Sequence, residues 1–228
     1  TQILKMAEHF PLRDFGFHSL KSIHVMTEIE KLSFADRAKH LGDPDFYKVP
    51  EKSLIDSLYL LERSNKINMD STLLSSGIYA GEFNLNESEE TTHFSIVDEY
   101  GNASSLTTTL NGSFGSGIIV DGAGFLLNNE MDDFSIQPGY PNMYGLIGGE
   151  ANAVESSKRM LSSMTPTVLE KDGNLFMVLG TPGGSTIITA VFQTIINVID
   201  YDMNIEQAVN SPRFHHQWYP DEIKMEKD

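Results

Sequence analysis

The sequence contains no cysteine, which excludes disulfides and thiolate metal sites and leaves the redox compartment open. It has no apolar run long enough to span a membrane, and no signal-peptide pattern stands at its start. Basic residues are scarce: 16 lysines and arginines stand against 32 acids, a formal net charge of -16. That balance opposes binding to nucleic acid or to an anionic membrane surface and favours small neutral or zwitterionic ligands. There is also no internal repeat and no low-complexity tract. What is there is 228 residues with 40% hydrophobic content, enough for one ordinary globular domain with a substantial core.

Leu20, Ile23, Met26, Ile29 and Leu32 recur at helical spacing across residues 19–40, and Gly42 with Pro44 ends the run. A second amphipathic segment follows Pro50 and carries Leu54, Leu58 and Leu61. Residues 63–90 lose periodicity and collect Ser, Asn and Glu, which reads as an exposed connector. Strands are expected at 93–97, 104–110, 118–120, 125–127, 167–169 and 175–179, and helices at 187–199 and 205–209. Strands bracketed by helices without strict alternation favour a layered α+β sandwich over a doubly wound parallel sheet.

The acidic loop Asn84 to Glu90 runs directly into Thr91-Thr92-His93 and the alternating Phe94-Ser95-Ile96-Val97. If the Glu90-Thr91 bond were cut, Thr91 would become an N-terminus with its freed amine beside its own hydroxyl. That pairing activates a hydroxyl nucleophile without histidine or aspartate. Alone the signal is weak, because threonine is a favoured strand residue.

The other unusual patches also have plain readings when taken singly. Thr107-Thr108-Thr109 alternates faces, so Thr107 and Thr109 point the same way, as any threonine-rich strand edge would. Gly183-Gly184 leads from a strand into a helix, where glycine lets the backbone approach a ligand and helix-start N–H groups are ready donors to an oxyanion. A plain tight turn fits the same residues, and a phosphate loop does not, since Ser185-Thr186 brings no lysine. Glu130, Asp132 and Asp133 form the sharpest charge cluster; a glycosidase pair, a metal site or a solvated loop all compete there, and no histidine stands at ligand spacing. Ser162-Ser163 reads as a turn. His215-His216 would face opposite ways on a strand, with Phe214 and Trp218 suggesting packing.

Together with Thr91, the patches Thr107-Thr108-Thr109-Leu110-Asn111, Leu127 to Phe134, Leu161-Ser162-Ser163-Met164 and Gly180-Thr181-Pro182-Gly183-Gly184-Ser185 resemble the small subunit of the gamma-glutamyltransferases, members of the N-terminal nucleophile hydrolases. Upstream, Lys31 to Arg37 and Leu41 to Phe46 look like the end of that family's large subunit, and Asn210 to Trp218 looks like its late small-subunit signature.

The resemblance implies a four-layer αββα sandwich, with residues 1–90 closing the large subunit and carrying the processing loop and residues 91–228 forming the small catalytic subunit. It implies autocatalytic cleavage between Glu90 and Thr91, after which Thr91 is the nucleophile, Thr109 orients it, and Gly183 and Gly184 hold the oxyanion. Asn111, Glu130 and Asp133 would bind the α-ammonium of a γ-glutamyl substrate, and Ser162 and Ser163 its α-carboxylate. An arginine from a part of the large subunit absent from this chain would complete that pocket. Tyr144, in the segment Pro138 to Leu146, would be a mobile lid with Gly139, Pro141 and Gly145 as hinges. Asp132 would face elsewhere or serve structure, and His93 is expected to be structural, since the threonine amine already fills the base role.

The implied partners are glutathione or another γ-glutamyl compound, an acceptor amino acid, peptide or water, and the rest of the large subunit. No metal or organic cofactor, nucleic acid or membrane is implied, and the location would be periplasmic or secreted. Two alternatives stand beside this: a catalytically silent fragment acting as a binding module, and a related amide acylase.

Overall fold

The computed structural model describes residues 1–78 and 91–226. Helix α1 (Gln2–Ala7) and the short α2 (Leu12–Phe15) precede the long α3 (Leu20–His40). Ser19 caps α3 by accepting the Ser22 N–H at 3.1 Å, and Arg37, Lys39 and His40 sit in its last turn, where cations suit the helix dipole. The helix is buried on most of its circumference: Val25, Ile29, Leu32 and Phe34 are sealed, but so are Glu28, Glu30, Lys31 and Asp36. Each buried charge is partnered, as burial requires. Lys31 pairs with Glu28 at 2.6 Å and donates to Leu73 O, while the Glu30 carboxylate accepts the His216 N–H at 2.9 Å.

The expected second helix is two pieces, α4 (Glu51–Leu54) and α5 (Ser57–Ser64), the second capped by Asp56, which accepts the Leu58 and Tyr59 N–H groups. Asp36 joins three helices by accepting from Gln2 Nε2, Tyr59 Oη and Arg63. Residues 63–78 are largely exposed, as expected of a connector, but the segment is pinned at points: Ser64, Ile67 and Ser75 are buried and Arg63 is clamped onto α3. The polar composition gave no sign of these anchors, because one ion pair and a few hydrogen bonds leave no periodic pattern. The remainder of that connector, with Glu90, lies outside the described residues.

Helix α6 (Ile187–Ile199) bridges two cores. Phe192 and Ile196 enter the cluster formed with Met6, Leu12, Val25, Ile29 and Leu60, whereas Val191 and Ile195 pack on Met177 and Leu169. Each fully buried Phe or Ile of this kind contributes about 1.5–3 kcal/mol of transfer free energy. The second face belongs to the antiparallel hairpin of β3 (Thr167–Lys171) and β4 (Asn174–Leu179).

A further hairpin, β1 (Thr91–Val97) with β2 (Ala103–Thr109), pairs Thr91 with Thr109 and His93 with Thr107. It meets β3 and β4 through Ser105, whose Oγ donates to Leu179 O and accepts from the Thr167 N–H. Helix α7 (Ile205–Asn210), opened by an Asn204–Gln207 capping box, leads to the two-residue strands β5 (Phe214–His215) and β6 (Lys224–Met225).

The α+β class of the expectation holds, with helices, a hairpin against them and a second hairpin against the first. Two expected strands do not form: residues 118–120 and 125–127 make only a single bridge, Ile119 to Leu126. Gly122 and Gly124, both at positive φ, turn the chain between them, and Val120 N–H to Phe125 O at 2.8 Å and Leu127 N–H to Ile118 O at 2.9 Å flank that bridge.

Candidate functional site

The register of the first hairpin sets the site. Thr91 and Thr109 are direct cross-strand partners, and period-2 alternation turns both to the same half-buried face as His93 and Thr107. Thr91 Oγ1 lies 3.3 Å from Thr109 Oγ1. The Thr109 hydroxyl also accepts the Asn111 N–H at 3.0 Å, which fixes its position. Thr91, Thr92, Thr108, Thr109, Leu110, Gly112 and Ser113 line an open cavity of about 240 Å³, room for a small ligand group.

Beyond β2 the chain turns sharply at Asn111, which is buried with φ of 72°. Its Nδ2 donates to Asn129 O at 3.3 Å, and Asn129 Oδ1 accepts the Gly112 N–H at 2.8 Å. These bonds seat the 3-10 turn Glu130–Asp133 beside the end of β2. Burial raises the Glu130 carboxyl. It also pushes Asp133 up to about 7, opposed by the charge of Arg37 and reinforced by Glu130 and Asp132. A carboxyl held near neutrality in an enclosed pocket is a functional-site signature.

Asp132 accepts the Met143 N–H at 2.8 Å. It thus anchors the segment that carries Tyr144. Tyr144 is buried; its hydroxyl donates to Asn111 O at 2.5 Å, and its carbonyl accepts Gln217 Nε2 at 2.9 Å. Gly139 and Gly145 take φ of 84° and 73° at either side. The segment lies down over the end of β2.

Ser162 Oγ accepts the Met164 N–H at 3.0 Å, and Ser163 Oγ accepts from Arg37 Nη2 at 3.1 Å. Arg37, on α3, and Asp133 line one small cavity of about 20 Å³. At the end of β4, Gly183 (φ 133°) and Gly184 (φ 53°) adopt conformations that favour glycine, and a 3-10 turn at Gly184–Thr186 runs straight into α6. Just before them, Gly180 abuts the His93 ring with no room for a side chain. The glycine segment is thereby placed beside β1.

Three groupings emerge: the Thr91–Thr109–Asn111 set with Tyr144, the Asp133–Arg37–Ser163 set, and the glycine turn next to β1. Asn129 ties the first to the Glu130–Asp133 turn. His93 spends its ring nitrogens on Thr107 Oγ1 (2.9 Å) and Ser95 Oγ (3.0 Å), and burial lowers its pKa. It cross-links the strands. His215 contacts Thr189 and Gln217, and His216 contacts Asp221.

Sequence reasoning missed Asn129, Gln217 and Arg37 as parts of the site. All three stand inside patches that carried the resemblance, and their roles depend on which loops meet, which a one-dimensional pattern does not encode. A cavity of about 760 Å³ between α3, α5 and residues 147–149 lies apart from the threonine pair. Its lining, which includes Leu32, Ala35, Tyr59, Lys39, Arg63 and Lys66, carries none of the nucleophilic chemistry.

The profile of the gamma-glutamyltranspeptidase family matches residues 1–228. A glutathione hydrolase proenzyme of Escherichia coli is 50% identical over 227 residues, covering 100% of this chain and 39% of its own length. The chain therefore spans about two fifths of that relative. A crystal structure of a Helicobacter pylori gamma-glutamyltranspeptidase variant is 63% identical where superposed, with a TM-score of 0.59 over 60% of this chain and 73% of the other. A cephalosporin acylase of Bacillus halodurans shares the fold, with a TM-score of 0.71 over 94% of this chain and 37% of its own at 24% identity. The threonine hairpin, the acidic turn and the glycine turn thus sit in a chain that belongs to the gamma-glutamyltranspeptidase family.

Proposed function

We propose that this chain is the end of the large subunit (1–90) and the catalytic small subunit (91–228) of a γ-glutamyltransferase that cleaves glutathione or a related γ-glutamyl amide. The observation that carries the reading is the Thr91–Thr109 hydroxyl pair, 3.3 Å apart at the mouth of a cavity and bonded onward to Asn111.

In maturation the Thr91 hydroxyl attacks the Glu90 carbonyl, the peptide becomes an ester, and water frees a new N-terminus at Thr91. In turnover the same hydroxyl attacks the γ-amide carbonyl while the Thr91 α-amine takes its proton and later passes it to the leaving amine. Thr109 holds the nucleophile's rotamer. The Gly183 and Gly184 N–H groups receive the oxyanion, where preorganised donors contribute most. Asn111, Glu130 and Asp133 take the substrate α-ammonium and Ser162 with Ser163 its α-carboxylate, by charge-assisted hydrogen bonds. Tyr144 closes over them. The acyl-enzyme then yields to water, an amino acid or a peptide.

In turnover the freed Thr91 α-amine carries the proton between hydroxyl and leaving amine, and the scheme calls for no metal or organic cofactor. The partner is the remainder of the large subunit, and the site of action is periplasmic or secreted. The test is to incubate the whole enzyme with a γ-glutamyl anilide, quench, and map the peptide that carries the glutamyl group. Label on the Thr91 peptide supports the reading, and turnover with label elsewhere or with none overturns it.

A further inference from the structure

Arg37 has no part in that scheme, yet it touches the pocket that recognises the amino-acid head group. It sits in the last turn of α3, and its Nη2 lies 3.1 Å from Ser163 Oγ and 3.4 Å from Ser162 O. A guanidinium only donates. At Ser163 it therefore occupies an acceptor lone pair and leaves the hydroxyl hydrogen to point elsewhere. A carboxylate only accepts, so a ligand carboxylate meets a serine already set as a donor.

The same guanidinium lines one cavity of about 20 Å³ with Asp133, room for about one water molecule. Its charge draws the Asp133 carboxyl down against burial, while the charge of Asp133 in turn supports the guanidinium against its own burial. Asp133 is faced also by Glu130 and Asp132 from its own turn and by Tyr144 from the lid segment. Of these, only Arg37 opposes protonation of Asp133.

We propose that Arg37 is a positioning residue for zwitterion recognition: it turns the Ser163 hydroxyl toward the ligand's α-carboxylate and keeps Asp133 charged for its α-ammonium. This rests on the γ-glutamyl reading and extends it to a residue of the large-subunit segment that acts through two others. Arg37 need not touch the ligand.

The experiment measures L-glutamate binding by calorimetry and γ-glutamyl-p-nitroanilide turnover, both against pH, for the whole enzyme, Arg37→Gln and Arg37→Lys. Arg37→Gln is expected to weaken glutamate binding and raise KM by about tenfold or more, with kcat falling far less and the acid limb of both profiles moving to higher pH. Arg37→Lys is expected to restore the position of the limb but only part of the affinity, because an ammonium keeps the charge and loses the fork. If Arg37→Gln does not fold, Arg37→Lys carries the test through that split between limb and affinity.

Affinity and limb unchanged in the variants, or a loss confined to kcat and melting temperature, overturns the inference. A wild type that binds glutamate without turning over the anilide sinks the transferase reading while the binding comparison still decides the role of Arg37. A wild type that binds no glutamate overturns that role outright.

Discussion

The helical layer and the threonine hairpin solve opposite problems. In α3 and α6, Val25, Ile29 and Phe192 are at most 1% exposed, and even the carboxylates of Glu28 and Glu30 are sealed and partnered. In the β1–β2 hairpin the inward face carries Thr91, His93, Ser105, Thr107 and Thr109, while Phe94, Ile96 and Leu106 stand 43%, 56% and 41% exposed on the other. The stability of the described residues thus resides in the helices, and the candidate chemistry sits on a strand face with few apolar contacts of its own. Sites that must be reached by substrate are drawn from such lightly packed regions.

The comparison breaks most completely at Thr91. Thr91→Ala removes the nucleophilic hydroxyl of the proposed acyl transfer, so both autocleavage and γ-glutamyl turnover are expected to vanish while the melting temperature holds. Intact mass and a donor assay check this, and residual turnover at the wild-type rate contradicts the assignment. The reverse effect is expected in the helical layer. Phe192→Ala leaves a cavity where α6 meets α1 and α3 and should cost about 3–5 kcal/mol of stability, read by denaturant unfolding. Turnover per folded molecule should change little.

Asp133→Asn sharpens the comparison within the site. It removes a charge-assisted bond to the ammonium and should raise KM by about tenfold to a hundredfold, leaving autocleavage near normal. The sign of the pH effect follows from the raised carboxyl, which is ionised only above about 7. Donor kcat/KM should climb as pH rises through that value, and the limb should be lost in Asp133→Asn. By the same linkage the protonated carboxyl favours the folded state, a contribution present at low pH and lost as pH rises through about 7. Equal damage to autocleavage and donor binding would mark Asp133 as a structural carboxylate.

The smallest effect is expected at the lid. Tyr144→Phe deletes the 2.5 Å bond to Asn111 O, worth about 0.5–1.5 kcal/mol, and should raise KM only a few-fold. A null effect on KM would show that packing alone seats the segment.

Long periodic elements were readable in advance. The helical spacing of Leu20 to Leu32 and the apolar run of residues 187–199 correspond to α3 and α6, with Ser19 as the cap. Alternation placed Thr107 and Thr109 on one face, but the partnership of Thr109 with Thr91 came from the family resemblance, and the register of β1 with β2 agrees with it. What stayed hidden depends on distant contacts. Residues 63–78 look like linker, yet Arg63 is held by Asp36 across α3. Arg37 reads as an ordinary basic residue near a helix end until Ser163, 126 positions away, is found beside it. The buried charges of α3 likewise gave no warning, because a polar residue on a helix signals solvent unless its partner is known.

The most direct test of the central claim is N-terminal sequencing with intact mass on the whole protein after prolonged incubation at neutral pH, alongside Thr91→Ala. The account predicts a fragment that begins at Thr91 in the wild type and a single uncut chain in the variant. A wild type that stays uncut while it turns over a γ-glutamyl donor, or a cut at another bond, would contradict it.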